Sequence, residues 1–590
     1  MTAYNPPVRD ILFAMNEIGD LPGVLALPGH AEATPDLVET IIEEAGKFAA
    51  GALAPLNVVG DRQGNKWADG VVTTAPGVAA VYKDFVDNGW GALGANQDFG
   101  GQGMPHIVSL PVVELWASAN MAWSLCHLLT LGAVLAIENH ASDELKATYL
   151  PKMISGEWTG TMNLTEPQAG SDLAAIRTRA VPDGDVYRIT GTKIFITWGE
   201  HDCADNIIHL VLARLPDAPP GVKGISLFIV PKVLVNADGA LGARNDLICS
   251  SIEHKLGIHG SPTAVMSFGD KGGATGYLVG EANRGLEYMF TMMNHARINV
   301  GLQGVAIAER AYQQARDYAR DRVQGRPIGQ QTGAAIVHHP DVKRMLLDMK
   351  ARIEAMRAMV YYVAAQMDVA HGETGAVAKT AAARADLLTP VAKGWCTEHG
   401  QIVASEGIQV HGGVGFIEET GAAQHLRDAR ITTIYEGTTG IQANDLVGRK
   451  IARDKGETAK GFVAHMRKIL PDLTGPLAPL GAGLAQGLEE LDQAIAFVVA
   501  RNEAEPAVTA SGAVPLLHLF GAVTGGWLVA QQALAAQGKT QAEGDSTGFY
   551  GAKIELARHY ARHILPHSRA YFVAMTEGSD TTVGFDVDQF

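Results

Sequence analysis

The amino-acid sequence predicts an α+β fold that is mostly α, with a compact β region between helical segments. Apolar residues recur every three to four positions through roughly the first 150 residues and again from about residue 286, a period typical of amphipathic helices. Between about residues 158 and 280, short β-branched runs are broken by Gly, Pro and Asp, which is typical of strands. We therefore expect an N-terminal helical bundle, a central β domain, a C-terminal four-helix bundle and an additional helical C-terminal domain.

Composition narrows the class of protein. At 590 residues, with 47% hydrophobic and 19% charged residues, the chain is expected to be globular and to contain several domains. A net charge of -16 argues against nucleic acid as a partner. We expect no secretory signal and no membrane-spanning segment, because no apolar run reaches about 18 residues without a polar interruption. The expected location is cytoplasmic.

The four cysteines are widely separated, and none belongs to a C-x-x-C pair. They are Cys126, Cys203, Cys249 and Cys396. Neither a disulfide framework nor a zinc site is therefore expected, and we predict reduced thiols and no bound metal.

The helix and strand patterns divide the chain into five segments. We expect an arm over 1–33, a helical domain over 34–157, a β domain over 158–283, a helical bundle over 284–455 and an additional helical domain over 456–590. The long helices of the bundle are expected over 286–323, 341–369, 374–410 and 440–453. A patch rich in Gly, Pro and Leu over 475–487 is the best candidate for a linker.

Two polar stretches of the β domain could contact a planar ligand. The first, Met162–Asp172, closes a strand with a turn in which Gly170 lets the backbone approach a bulky group. The second, Lys193–Gly199, alternates so that Phe195 and Thr197 share a face. Both patterns also occur as ordinary strand ends and sheet packing, so neither identifies a ligand by itself.

The carboxylate of Glu436 stands at the entry to a predicted helix. Tyr435 and Gly437 flank it, and Thr438 and Thr439 are placed to cap the helix. Burial in a largely apolar pocket would raise its pKa and suit it to remove a proton from carbon. The alternative is an ordinary acid at a helix entry, which these residues alone favour.

Several motifs, taken in order, resemble those of the acyl-CoA dehydrogenase family. They are Leu-Thr-Glu-Pro-x-Ala-Gly-Ser-Asp from Leu164, Gln-x-x-Gly-Gly-x-Gly-Phe from Gln409, Arg-Asp-Ala-Arg-Ile from Arg427 and Tyr-Glu-Gly-Thr from Tyr435. A β domain between two helical bundles fits as well. The resemblance covers roughly residues 36–453.

The resemblance implies an FAD enzyme that removes two hydrogens across C2–C3 of an acyl-CoA thioester. Glu436 matches the family's base, which takes the C2 proton while hydride passes from C3 to flavin N5. The implied electron acceptor is an electron-transfer flavoprotein. Because the extra domain of extended members takes the place of a second dimer, a homodimer is expected.

The same resemblance implies roles for other residues. Those expected to bind FAD are Met162, Leu164, Thr165, Phe195, Thr197, Arg322, Gln409, Gly413, Thr438 and Gln442. Those expected near the acyl-CoA are Ser171, Asn294, Arg297, Tyr435 and Gly437. Within the first set, Arg322, Gln409 and Gly413 would reach the FAD of a neighbouring subunit.

Three positions depart from the family pattern. Phe195 stands where many relatives have Trp, Gln424 stands where a basic residue is usual, and Asn294 stands where many relatives have an acid. These departures leave details of the cofactor and CoA contacts open, but not the reaction.

The substrate is implied by the two ends of the chain. The arm from Tyr4 to Asp10 and the extra C-terminal domain resemble those of bacterial family members that act on 3-methylmercaptopropionyl-CoA in dimethylsulfoniopropionate degradation. We expect that substrate. Medium- or long-chain fatty acyl-CoA is the alternative, because sequence does not give the depth of the acyl pocket.

Two further classes of protein share parts of this pattern. Extended relatives include a flavoprotein that binds DNA through a basic C-terminal face, but here Lys553, Arg558 and Arg562 are mixed with Glu555 and Glu577. A nucleic-acid surface is therefore not expected. An acyl-CoA oxidase, which returns its electrons to oxygen, stays open on the motifs alone.

Overall fold

A computed structural model describes residues 3–30 and 32–590, which form two compact units. The mixed unit comprises Lys47–Met104 and Ala119–Ala296. The helical unit comprises the chain up to Gly46, Pro105–Ser118 and Arg297–Phe590. The predicted fold class is confirmed, because helices, a β region, further helices and an additional helical C-terminal region follow one another along the chain.

The mixed unit contains one large sheet and a set of helices. The helices are Ala54–Gln63, Val78–Asp87, Met121–His140 and Asp143–Ser155, and the π-helix Ala49–Leu53 precedes the first of them. The sheet order is Leu247–Ile252, Thr263–Phe268, Val186–Thr197, Ala274–Leu278, Ser226–Pro231, Asn206–Ala213 and Trp158–Asn163, with Arg179–Asp183 paired to Val186–Thr197. The pair Trp158–Asn163 and Asn206–Ala213 is parallel, and the other pairs are antiparallel.

Strands that are buried on both faces were the easiest to predict. All eight residues of Asn206–Ala213 and all six of Ser226–Pro231 are buried, and both strands read as continuous apolar runs. The β-branched runs over 186–190 and 193–197 form one strand, Val186–Thr197. Short strands were not anticipated, because most of them are only three to five residues long; these are Lys66–Ala68, Val71–Thr73, Arg179–Asp183, Val233–Val235, Leu241–Arg244 and Leu247–Ile252.

The helical unit is built on three long helices. These are Pro340–Gly372, Gly375–His411 and most of Gly285–Asp321. A shorter helix, Thr439–Asp445, continues as the π-helix Leu446–Ala452. The other helices are Val8–Glu17, Leu21–Leu25, Ala422–Ala429, Glu457–Arg467, Ala478–Arg501, Pro506–Ser511, Ala513–Glu543, Phe549–His563, His567–Glu577 and Ser579–Val583, with most of Pro35–Phe48 and His106–Ala119.

Two long helices of this unit approach each other closely through glycine. A Cβ on Gly304 would lie 2.4 Å from the carbonyl oxygen of Cys396, and one on Gly400 would lie 2.8 Å from the carbonyl oxygen of Gly304. Any side chain at Gly304 would therefore force Gly285–Asp321 and Gly375–His411 apart. Their close approach sets the positions of the polar residues that these two helices carry at the site described below.

The prediction of a linker over 475–487 was wrong. Residues from Ala478 onward belong to the helix Ala478–Arg501, in which Leu480, Leu484 and Leu488 are buried. Glycine was interpreted as the sign of a linker, but here it lets two helices pack closely: a Cβ on Gly487 would lie 2.9 Å from Val523 Cγ2.

Two helices have the length and hydropathy of a membrane span. They are Met121–His140 and Ala513–Glu543, and 83% of the apolar window of each is buried within the protein. Burial of this extent is what the core helix of a folded unit shows.

Candidate active site

The Glu436 loop, defined here as Tyr435–Thr438, has a strained backbone. Glu436 has a φ of +55° and Gly437 has a φ of +90°, so two consecutive residues adopt the left-handed region. That conformation costs about 1–3 kcal/mol for a residue with a side chain and persists where the surroundings enforce it. Thr438 ends the loop, since its Oγ1 accepts a hydrogen bond from the Ile441 N–H at 3.2 Å and caps the helix Thr439–Asp445.

Two buried side chains hold the carbonyls of this loop. Lys393 Nζ donates to the Gly437 carbonyl oxygen at 2.7 Å. Gln442 Nε2 donates to the Glu436 carbonyl oxygen at 3.0 Å and to that of Gly437 at 3.4 Å. Both donor side chains are fully buried, which shields these bonds on the donor side from water. The strained loop is therefore fixed from the helix Gly375–His411 and from its own following helix.

The electrostatic surroundings of Glu436 suit it to act as a base. Burial raises the pKa of its carboxyl to about 7, and the cations Arg297 and Lys393 oppose a further rise. A carboxyl with a pKa near neutrality is substantially ionised at pH 7 and is still a strong enough base to take a proton. The site combines a perturbed carboxyl with a strained backbone, which is a common combination at catalytic centres.

Arg297 and Tyr435, both predicted to lie near the acyl-CoA, have well-defined partners. Arg297 is buried, and its Nη1 lies 3.2 Å from Asp445 Oδ2. Asp445 also accepts a hydrogen bond from Arg449 Nε at 2.6 Å. The Tyr435 hydroxyl donates to Gln303 Oε1. Arg297 thus lies beside Glu436 as a buried ion-paired cation, and its contact with CoA stays a prediction.

A cavity of about 550 Å³ in the helical unit brings together three residues predicted to bind FAD. Its lining residues are Tyr318, Arg322, Gln324, Ile336, Gln409, Val410, His411, Gly412, Gly413, Val414 and Ile417. Tyr318 and His411 stack with ring centroids 4.5 Å apart. The Arg322 guanidinium donates a hydrogen bond to Gln324 Oε1 at 3.5 Å. An arginine in a cavity without a lining carboxylate suits a phosphate group.

In the mixed unit, a buried ion pair joins the two polar stretches of the β domain. The Glu166 carboxylate accepts from Lys193 Nζ at 2.8 Å, and Lys193 also donates to the Leu164 carbonyl oxygen at 2.9 Å. Burial would raise the pKa of Glu166, but Lys193 and hydrogen bonds from Thr178 and Arg177 lower it to about 2. The turn after Trp158–Asn163 is therefore fixed against the strand Val186–Thr197.

The predicted flavin residues of this unit lie along that junction. Phe195 has a φ of +60° at an irregularity in strand pairing, and 58% of its surface is exposed. An exposed aromatic on a strained strand suits stacking on a planar ring. Met162, Leu164, Thr165 and Thr197 are half-buried, and Ser171 and Asn294 are exposed.

Sequence reasoning missed several residues of these sites. They are Lys393 and Gln303 at the Glu436 loop, Tyr318 and His411 in the cavity, and the pairing of Lys193 with Glu166. A charged residue inside an apolar helical run was the available signal for Lys393, which stands between Val391-Ala392 and Gly394-Trp395. The stacked pair of Tyr318 and His411 has no comparable signal in the sequence.

Four family models match consecutive parts of the chain. The acyl-CoA dehydrogenase N-terminal domain matches residues 38–157, the middle domain matches 161–270 and the C-terminal domain matches 283–451. A model described as acetyl-CoA dehydrogenase C-terminal like matches residues 457–586.

Relatives align over nearly the whole chain. The 3-methylmercaptopropionyl-CoA dehydrogenase of Ruegeria pomeroyi is 48% identical over 98% of this chain and 99% of its own. A butyryl-CoA dehydrogenase of Syntrophomonas wolfei is 34% identical over 100% of this chain and 99% of its own. A solved acyl-CoA dehydrogenase from Bacillus anthracis, complexed with FAD, has a TM-score of 0.74 at 20% identity, covering 95% of this chain and 90% of its own, a likeness that concerns the fold alone.

Proposed function

The chain belongs to the acyl-CoA dehydrogenase family, and from that premise we propose that it oxidises the C2–C3 bond of 3-methylmercaptopropionyl-CoA to give methylthioacryloyl-CoA. The observation that carries the proposal is the Glu436 carboxyl, with a pKa of about 7, on a strained loop in the family's catalytic motif. The relative named for this substrate aligns with both the N-terminal arm and the extra C-terminal domain. The proposed reaction belongs to dimethylsulfoniopropionate degradation.

Glu436 would remove the C2 proton. A thioester C2–H is a very weak acid in water, so its removal needs both a base and stabilisation of the developing enolate oxygen. We assign the first task to the Glu436 carboxylate and the second, in part, to its own backbone N–H. The fixed loop presents both groups from one residue, and the buried surroundings strengthen each interaction.

The residues present fit FAD as the cofactor, which would accept the hydride that leaves C3. In the helical unit, Gln442 Oε1 is buried without a hydrogen-bond partner among the described residues, and a flavin N–H donor would satisfy it. Thr438 would lie near the same group. In the mixed unit, Thr165, Phe195 and Thr197 would contact the isoalloxazine, together with Met162 and Leu164.

The experiment that tests the function is an anaerobic titration of the purified protein followed by flavin absorbance. 3-Methylmercaptopropionyl-CoA is expected to bleach the flavin, and palmitoyl-CoA is not. Bleaching by palmitoyl-CoA alone would support the proposed dehydrogenation but reject 3-methylmercaptopropionyl-CoA as the substrate. Bleaching by neither would reject the proposed reaction for these thioesters. Reoxidation by air as fast as by an electron-transfer flavoprotein would favour an oxidase.

The reaction should respond to pH through Glu436. We expect kcat/KM for flavin reduction to rise as pH increases through about 7, because only the ionised carboxylate can accept the C2 proton. The measurement is stopped-flow flavin bleaching from about pH 5.5 to about pH 9, the range that brackets this pKa. A rate that does not change across this range would contradict the assignment of Glu436 as the base.

We propose that the cavity lined by Arg322, Gln409 and Gly413 binds the adenine and pyrophosphate end of a neighbouring subunit's FAD in a homodimer. Exposed apolar side chains lie on and next to its lining segments: Val323, Ile328, Val414, Phe416 and Ile417. Several exposed apolar side chains around one cavity are typical of a protein interface. Light scattering should then give twice the chain mass of 62.4 kDa.

Arg322→Ala should weaken FAD binding. Loss of a charge-assisted hydrogen bond to phosphate predicts about a 10- to 100-fold rise in the Kd for FAD, measured by quenching of flavin fluorescence. Arg326→Ala is the matched control, because Arg326 is exposed on the same segment and does not line the cavity. Equal affinities for the two variants would argue against this cavity as a cofactor site.

We propose an electron-transfer flavoprotein as the electron acceptor and the cytoplasm as the location. All four cysteines are free thiols, which supports a reducing compartment.

A further inference from the structure

Lys393 is a buried lysine that lacks a direct ion pair. Its side chain is fully buried in the helix Gly375–His411. Within the described residues, its Nζ donates to the Gly437 carbonyl oxygen at 2.7 Å and no carboxylate lies within ion-pair distance. Lys193, which is also fully buried, has Glu166 at 2.8 Å. Burying an ammonium without a contacting carboxylate costs free energy, which indicates that Lys393 has a function at this position.

The hydrogen bond from Lys393 acts on the part of the loop that is least stable by itself. Glu436 and Gly437 both have positive φ, and a peptide in this conformation relaxes unless its carbonyl groups are held. Gln442 holds the Glu436 carbonyl, and Lys393 forms the shorter bond to the Gly437 carbonyl. The direction in which the Glu436 carboxyl points depends on this backbone.

Lys393 also acts on Glu436 through charge. The ionisable groups of the helical unit that act on Glu436 or on its charged neighbours are Tyr435 on the loop, Arg297 on Gly285–Asp321, Asp386, Lys393 and Glu398 on Gly375–His411, Asp428 before the loop, and Asp445 and Arg449 after it. Arg297 pairs with Asp445 at 3.2 Å, whereas the Lys393 ammonium, within the part of the chain that the structure describes, hydrogen-bonds only to the Gly437 carbonyl. Burial lowers the pKa of Lys393 to about 7, and Glu436 opposes this shift, so each group favours the charged form of the other.

We propose that Lys393 is a positioning residue for the reaction, which holds the strained Glu436–Gly437 backbone through the Gly437 carbonyl and favours the ionised form of the Glu436 carboxyl. The inference rests on the proposed function for its kinetic consequence. Its structural part does not depend on which thioester the protein oxidises.

Lys393→Met removes both the donor and the charge. The protonation midpoint of Glu436 is expected to rise by roughly one pH unit. Difference infrared spectra between each protein and its Glu436→Gln counterpart measure that midpoint without substrate. At about pH 9, where Glu436 is ionised in wild type and variant, flavin reduction is expected to be about 10- to 100-fold slower because the carboxyl is misplaced. Lys393→Arg, which keeps a charged donor, should restore the midpoint and part of the rate.

Lys553→Met is the matched control. Lys553 is also buried, but it binds Asp10 and Glu354 and has no contact with the Glu436 loop. Lys553→Met should lower the free energy of unfolding without changing the protonation midpoint of Glu436. An unchanged midpoint in Lys393→Met, with a rate at about pH 9 close to wild type, would overturn the proposal. If Lys393→Met fails to fold, Lys393→Gln replaces it, and a midpoint equal to that of Lys393→Arg overturns the proposal.

Discussion

Glu436→Gln is expected to abolish bleaching of the flavin by the acyl-CoA substrate while the protein stays folded and yellow. Glutamine has nearly the same shape and keeps the backbone N–H, but its amide cannot accept a proton at any working pH. Loss of a general base costs about 10²- to 10⁴-fold, and here the substrate C–H is weakly acidic, so we expect about a thousand-fold or more. The measurement is anaerobic stopped-flow reduction.

Glu406→Gln provides the control for this variant. Glu406 lies on the same unit, on the helix Gly375–His411, and burial raises its pKa to about 7 as well. It does not belong to the Glu436 loop. Glu406→Gln should therefore reduce its flavin at close to the wild-type rate. Equal losses in both variants, or a Glu436→Gln rate within about ten-fold of wild type, would contradict the assigned role of Glu436.

Features that depend on residues close together in the chain were predictable from the sequence. The order of helical, β and helical regions followed from periodicity, and Glu436 was singled out from a motif of four neighbouring residues. The caps were predictable too, because Thr438 stands three residues before the N–H that it binds. Such features depend on local geometry, which a single sequence carries.

Features that depend on the approach of distant segments were not predictable. Lys393 meets Gly437 because the helix Gly375–His411 packs against a loop that follows 44 residues later, a contact that no periodicity records. Arg297 is likewise distant in sequence from Glu436 but acts on its charge. The error at 475–487 has a related cause: glycine was interpreted as a break, whereas at Gly487 it makes room for Val523. Tertiary packing decides whether a glycine breaks a helix or lets two segments approach closely.

The helical unit also contains a buried network of charges far along the chain from the Glu436 loop. Arg357 is fully buried, and it donates to Glu114 Oε1 at 2.7 Å and to Glu309 Oε2 at 2.9 Å. The Tyr361 hydroxyl donates to Glu114 Oε2 at 2.7 Å. The network continues through Lys350 and Lys553 to Glu354 and to Asp10 of the N-terminal helix. Segments about 540 residues apart are thus joined by charged hydrogen bonds.

Arg357→Met should be the most destabilising of the single substitutions considered for this unit. It leaves the carboxylates of Glu114 and Glu309 buried without their shared cation, a change that costs about 3–5 kcal/mol of the free energy of unfolding. The measurement is urea-induced unfolding at neutral pH. Arg501→Ala is the matched control, because Arg501 pairs with Glu505 in an exposed position and should cost at most about 1 kcal/mol.

The cause of that loss can be separated from simple loss of packing. If unpaired charge is responsible, adding Glu114→Gln to Arg357→Met should recover part of the stability, because the carboxylate that has lost its ion-pair partner becomes neutral, whereas Glu309 keeps Lys350 at 3.8 Å. If packing were responsible, the second substitution would leave stability unchanged or lower it further. A loss below about 1 kcal/mol in Arg357→Met itself would mean that water or a change in protonation replaces the arginine, and that the network contributes little to stability.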